Sequence, residues 1–169
     1  GFPDLTMKPF IEKIIKNLLH STKFKVILWP HPSDRENVFF QEIRKKFEKK
    51  TNFEYDISDN YLNVYLKSKI MITDLSGTAY TFAFLNLSPV IFFSSSDKKE
   101  KELEYSNYDF FRDRNKIGKI LNKTENICFT ITEISKNYPI YVEKIRILRN
   151  NIKYLSQSYE KYKKFFENI

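Results

Sequence analysis

Apolar positions along this chain alternate between helical spacing and unbroken runs. Between Met7 and His20, residues Phe10, Ile11, Ile14, Ile15, Leu18 and Leu19 recur at helical spacing and predict one amphipathic helix. Lys25 to Trp29 then carries Val26, Ile27 and Leu28 in continuous apolar order. That is the pattern of a central parallel strand covered on both faces. Pro30-His31-Pro32 ends the run. Ser33 or Asp34 is placed to cap a following helix, with Glu36 or Asn37 in its first turn. That helix should reach about Lys50, with Val38, Phe39, Ile43 and Phe47 inward. Phe53 to Asp56 reads as a short strand, and Ser58 or Asp59 as the cap of a short helix through Leu66.

The second half begins more strongly. Ile70 to Thr73 is a strand, Ser76 to Leu87 a helix, and Pro89 opens a strand from Val90 to Phe93. The helix is apolar nearly all round, which marks it as buried. Gly77, Ala79 and Ala83 are small enough for close packing on a sheet. From Ser94 to about Arg114 the pattern dissolves into Ser, Asp, Lys and Glu, a long loop of the kind that is often functional or mobile. Ile117 to Leu121 and Ile127 to Phe129 are short strand candidates. Thr130 or Thr132 starts a helical pattern to about Leu155, broken at Pro139. Ser156-Gln157-Ser158 interrupts before a final helix, Tyr159 to Phe166. No internal repeat and no Gly/Ser linker occurs. Alternating strand and helix predict an α/β fold: a Rossmann-like, doubly wound parallel sheet with right-handed crossovers.

With 169 residues, 41% hydrophobic and 17% aromatic, the chain fits one folded domain and is not disordered. The single cysteine, Cys128, excludes an internal disulfide framework and sits in an apolar run, as a buried structural thiol would. No apolar run approaches the about 20 residues of a membrane-spanning helix, and Gly1-Phe2-Pro3-Asp4 has no signal-peptide pattern. A first residue other than Met suggests a piece of a longer protein. The formal charge of +8 and pI of about 9.4 suit an anionic ligand or surface. The same charge also follows from a Lys-, Asn-, Ile-, Phe- and Tyr-rich composition, and both explanations stand.

Chemistry concentrates where strands end. Asp74, Ser76, Gly77 and Thr78 lie between a buried strand and a helix start. Open α/β sheets bind ligands there, and helix N–H groups favour phosphate there. An ordinary N-cap is the plainer reading. His31, held between two prolines after a strand, can donate to phosphate or act as acid or base, or be a turn residue without chemistry. His20 near a helix end reads as a surface or capping residue. Arg112-Asp113-Arg114 with Lys116 could place guanidinium groups over a phosphate or be a solvated charge cluster. Lys161, Lys163 and Lys164 beside Tyr162, Phe165 and Phe166 could touch an anionic membrane, or pack their aromatics on the domain. The dinucleotide fingerprint, the P-loop, a Cys/His zinc cluster and the Gly-x-Ser-x-Gly elbow are all missing, and the chain has only 3 glycines.

The order of these pieces resembles the C-terminal half of the CDP-glycerol glycerophosphotransferase family, which makes teichoic-acid and capsule-type polymers. Val26-Ile27-Leu28-Trp29-Pro30-His31-Pro32 is similar to that family's strand ending in His-Pro. Lys69 through Gly77 is similar to its hydrophobic strand followed by Thr-Asp-x-Ser, and Pro89 through Phe93 to the next strand. Leu155-Ser156-Gln157-Ser158-Tyr159-Glu160 is similar to the start of its last helix. The likeness runs from about Lys23 to the C-terminus. It implies a GT-B fold whose C-terminal domain binds the nucleotide-activated donor. By this resemblance His31 is catalytic or contacts the donor diphosphate. Pro32, Thr73, Asp74, Ser76, Gly77, Thr78 and Arg112 hold phosphate and glycerol-side groups. No cofactor is implied beyond the donor substrate, CDP-glycerol. The acceptor, a polymer or lipid hydroxyl, and a second catalytic histidine would lie with a separate N-terminal domain. The work would be done at the cytoplasmic face of the membrane, without nucleic acid. Ser76-Gly77 stands where the family often has Ser-Ser, and Thr81 where it often has an acid. The donor therefore stays open to other polyol phosphates and to UDP- or GDP-sugars. A non-catalytic basic module binding membrane or nucleic acid is the reading from another class. The expected organisation is one donor-binding domain over residues 1–169, with a C-terminal helix over 155–169.

Overall fold

The computed structural model describes residues 6–21, 24–74, 76–94 and 109–152. A 3-10 turn at Lys8–Phe10, entered through Pro9, leads into α1 (Ile11–Ser21). Its apolar stripe buries Ile11, Ile14, Ile15 and Leu18. Then follow β1 (Val26–Leu28), α2 (Val38–Phe47), β2 (Phe53–Tyr55), α3 (Tyr61–Lys67), β3 (Met71–Thr73), α4 (Thr78–Asn86) and β4 (Val90–Phe93). Two short helices, α5 (Asp109–Arg112) and α6 (Arg114–Ile117), precede β5 (Gly118–Leu121). The described chain ends with α7 (Ile127–Lys136) and α8 (Tyr138–Asn151).

Among the described residues every strand pairing is parallel. β1 pairs with β2, placing Val26 opposite Phe53 and Leu28 opposite Tyr55. β4 lies between β3 and β5, with Met71 opposite Val90 and Val90 opposite Gly118. All of β4, Val90 through Phe93, is at most 2% exposed, so helices cover both of its faces. The protein is a Rossmann-like α/β fold. Gly118 sets the approach of β5: a Cβ there would lie 1.7 Å from the Val90 carbonyl oxygen.

The strands form two parallel sheets, β1-β2 and β3-β4-β5, with α3 between them in sequence. Among the described residues no ladder joins β1 to β3. Instead Val26, Ile27 and Leu28 share a cavity of about 450 Å3 with Ile70 and Ile72, roofed by Ile11, Ile14, Ile15 and Leu18 of α1. A larger core gathers Ile14, Leu18, Phe82, β4, Ile127 and Ile134. A smaller one gathers Ile11, Ile15, Phe40, Ile43, Phe47 and Phe53. Met7 and Val26 pack against both.

Several sequence expectations shift. Asn37, not Ser33 or Asp34, caps α2, its Oδ1 accepting the Phe39 N–H at 3.1 Å. The earlier residues are taken up by a 3-10 turn, Pro32–Asp34. The later start turns Phe40 inward and leaves Val38 71% exposed. Asn60, not Ser58 or Asp59, caps α3. Ile127–Phe129 begins α7 rather than forming a strand. β1 is half-buried, because one edge faces the cavity rather than a covering strand. Gly77 is exposed with open space where a Cβ would be, so Ala79 and Ala83 alone make the close packing of α4. Cys128 is half-buried, its Sγ 3.5 Å from the Asn17 carbonyl oxygen. Pro139 falls in the first turn of α8, where its missing N–H costs nothing, and Asn137 makes the break before it. Residues 95–108, the 155–160 motif and the 159–166 helix lie outside the described residues.

Candidate functional site

His31 stands just past the carboxyl end of β1 and forms the N-cap of the Pro32–Asp34 turn. Its Nδ1 accepts the Ser33 main-chain N–H at 3.3 Å and meets Ser33 Oγ at 2.7 Å. A main-chain N–H can only donate, so Nδ1 is the acceptor and the neutral ring carries its proton on Nε2. The ring is exposed, and Pro32, also exposed, fixes the turn beneath it. His31 thus offers an oriented donor at the rim of the sheet.

The matching loop follows β3. Thr73 ends the strand half-buried. Asp74 Oδ2 accepts the main-chain N–H of Met7 at 3.1 Å. Ser76 Oγ lies 2.8 Å from Thr78 Oγ1 and 3.4 Å from the Thr78 N–H, and Gly77 caps α4 without a side chain. The N–H groups of Thr78, Ala79 and Tyr80 go to Ser76 Oγ, the Ser76 carbonyl and the Gly77 carbonyl, so the start of α4 offers a ligand its two hydroxyls and the positive end of the helix dipole.

Tyr65 joins the two loops. Its ring meets Trp29, next to Pro30-His31, edge-on at 6.4 Å, and packs on Phe82 of α4 at 5.4 Å. Burial pushes its hydroxyl above the ordinary tyrosine range, and a hydrogen bond with the Thr78 side chain opposes this. Trp29, two residues before His31, and Thr78 at the start of α4 thus both touch Tyr65. Open α/β sheets bind ligands outside the carboxyl ends of their strands.

Arg35 is a residue that sequence reading missed. Its side chain is only 14% exposed and reaches Asp59 Oδ1 at 2.5 Å and the Ser58 carbonyl at 3.0 Å. Trp29 Nε1 donates to the same carbonyl at 3.0 Å. The Arg35 carbonyl accepts from Gln41 Nε2 at 2.7 Å and from the Tyr55 hydroxyl at 3.2 Å. This network braces the His31 turn against the loop after β2. An arginine four residues past His31, with Asp56 and Asp59 beyond the next strand, was the available signal.

The Arg112–Lys116 cluster divides. Arg114 is buried, its Nε donating to the Phe111 carbonyl at 3.1 Å and its guanidinium 4.7 Å from the Phe111 ring. Lys116 pairs with Asp113 at 2.8 Å, while Arg112 is exposed at the end of α5. Burial first, then the charge of Asp113, raises the Tyr80 hydroxyl, with Arg114 opposing. This segment therefore lies near the first turns of α4. His20 is exposed near the end of α1. Among the described residues no cluster of His, Cys, Asp and Glu could hold a metal, and no helix is long and apolar enough to cross a membrane.

Residues 7–160 match the family described as CDP-Glycerol:Poly(glycerophosphate) glycerophosphotransferase, and the chain belongs to that family. The minor teichoic acid biosynthesis protein GgaB of Bacillus subtilis (strain 168) is 30% identical over 86 residues, covering 50% of this chain. The match spans 9% of that relative's length. No solved structure matches the chain.

Proposed function

We propose that this chain is the donor-binding domain of a GT-B transferase. It would move glycerol phosphate, or a related polyol phosphate, from a CDP-linked donor to a hydroxyl of a cell-surface polymer or lipid. The observation that supports this reading is that Tyr65 touches both Trp29, two residues before His31, and Thr78 at the start of α4.

In this reading the donor diphosphate lies across the α4 N-terminus. The N–H of Gly77 and the hydroxyls of Ser76 and Thr78 hold its oxygens. The acceptor oxygen attacks the glycerol-bearing phosphorus, the bond to the bridging oxygen breaks, and CMP leaves with the electron pair. His31 Nε2–H donates to the diphosphate as charge builds on the leaving side. Asp74, steadied through Oδ2 by Met7, has its other oxygen for a glycerol hydroxyl. Arg112 adds a guanidinium from the chain after β4. The acceptor and its base belong to a further domain, and the enzyme works at the inner membrane face.

The test is calorimetric titration with CDP-glycerol, comparing CMP, UDP-glucose and inorganic phosphate. Preferential CDP-glycerol binding that is lost in Asp74→Ala supports the proposal. Preference for UDP-glucose would move the chain to sugar transfer. Salt-sensitive binding without nucleotide preference would make it a basic module. In the whole enzyme, His31→Ala should lower transfer about 100- to 10,000-fold. Unchanged transfer would remove His31 from the mechanism.

A further inference from the structure

The cavity under α1 has two unlike ends. Inside it is apolar: Ile14, Leu18 and Ile131 are buried, and Ile27, Ile70 and Ile72 half-buried. The exposed residues of its lining are Phe24, Lys25, Lys67 and Lys69, so it opens between them. Phe24 and Lys25 lead into β1, and Lys69 leads into β3. The mouth therefore lies at the amino ends of these strands, whereas His31 and Asp74 follow their carboxyl ends. None of the residues named for the donor lines the cavity.

The charge at the mouth is unbalanced. Lys25 and Lys67 both pair with Glu54, Lys67 at 3.7 Å. Asp56, whose carboxyl is lowered first by its hydrogen bond with Ser58, also feels Lys67. Among the described residues no carboxylate pairs with Lys69. Three ammonium groups thus stand against two carboxylates. The volume of about 450 Å3 falls within the span of small-molecule sites, about 300–1,000 Å3. A cavity lined by Ile and Leu stays dry and takes apolar guests. A ligand that suits both ends is apolar along its length and anionic at its tip.

We propose that this cavity takes one alkyl chain of an anionic amphiphile, a free long-chain carboxylate or a membrane lipid, with the head group at Lys69. Phe24 lies along the chain where it enters, as an aromatic beside basic residues does at a lipid surface. The site stands apart from donor binding, and each succeeds or fails without the other.

Calorimetric titration of the 169-residue chain with decanoate and dodecanoate, below their micelle concentrations, tests this, with dodecanol as the neutral comparator. Each buried methylene strengthens binding about fourfold, so dodecanoate should bind about tenfold or more tighter than decanoate. Lys69→Glu, on an exposed side chain, should weaken dodecanoate about fivefold or more and leave dodecanol unchanged. Ile14→Phe fills the cavity from α1 and should abolish binding of both. If that variant does not fold, a stearate carrying a nitroxide near its methyl end decides on the unaltered chain: methyl broadening should be greatest at Ile14 and Ile72. No dodecanoate binding, equal affinity for the two chain lengths, undiminished binding in folded Ile14→Phe, or broadening centred elsewhere overturns the proposal. Phosphatidylglycerol vesicles separate the two sources. Cosedimentation lowered by Ile14→Phe makes a membrane lipid the source. Dodecanoate binding without it assigns the site to the free carboxylate.

Discussion

The main-chain N–H of Met7 donates to Asp74 Oδ2 at 3.1 Å, across 67 residues of sequence. One carboxylate oxygen of the best ligand candidate is thereby committed to the fold. Asp74→Ala leaves a partly buried N–H without an acceptor and should cost about 1–2 kcal/mol. Asp74→Asn keeps an acceptor oxygen and should cost less, while still weakening donor binding through loss of charge. Urea denaturation of both variants, beside nucleotide titration, separates the structural share from the ligand share.

Two glycines should respond in opposite ways. Gly118→Ala puts a methyl within 1.7 Å of the carbonyl oxygen of Val90, on the buried strand β4. A loss of about 3 kcal/mol is expected. Gly77 has φ −59° and nothing within 4 Å of a Cβ position. Gly77→Ala should therefore be neutral or stabilise by about 0.4–1 kcal/mol. If Gly77 lies under a phosphate, the same methyl should abolish nucleotide binding in a protein of undiminished stability.

Asn37→Ala removes the hydrogen bond that starts α2 and should cost about 1 kcal/mol. Ser33→Ala, at the position the sequence favoured, should leave α2 intact and disturb only the His31 ring. Thermal denaturation of the pair checks the assignment.

Burial raises the hydroxyl pKa of Tyr55, Tyr65, Tyr80 and Tyr141. In the unfolded chain these phenols ionise near pH 10, whereas the folded protein keeps them protonated longer. The unfolded state then binds fewer protons, so stability falls as pH rises above about 10. Below that pH the contribution is complete. Denaturation midpoints between pH 8 and 11, with tyrosinate absorbance as the second readout, should show the decline begin near pH 10. Tyr65→Phe should blunt it.

The legible parts of the fold were those carried by long apolar runs. β4 could be read directly, because it is buried on both faces; α4 was legible as a helix but is not buried all round as its composition suggested, since Thr81 is exposed and Leu85 is 48% exposed. The caps were not legible to the residue. Ser33, Asp34 and Asn37 all have capping side chains, and only the 3-10 turn nucleated by Pro32 decides among them. Ile127–Phe129 is too short for periodicity to separate strand from helix. His31 and the 73–78 loop were visible because both follow apolar runs. Arg35 and Tyr65 were not, since charge suggests exposure and tyrosine suggests packing until their partners are known. The Met7–Asp74 bond and the cavity under α1 depend on pairings across distant segments, which local pattern does not encode.

Among the described residues, α1 contributes to both cores and Met7 and Val26 pack against both. The smaller core supports β1, β2 and α2, and with them the turn that presents His31; the larger holds β3, β4 and the loop of Asp74. Cooperative units joined by so few contacts open at different free energies. On warming, the half with less buried area should loosen first, taking His31 out of position while the other half stays assembled. Heat inactivation should therefore precede the loss of helical signal, leaving a folded molecule that no longer brings its two loops together.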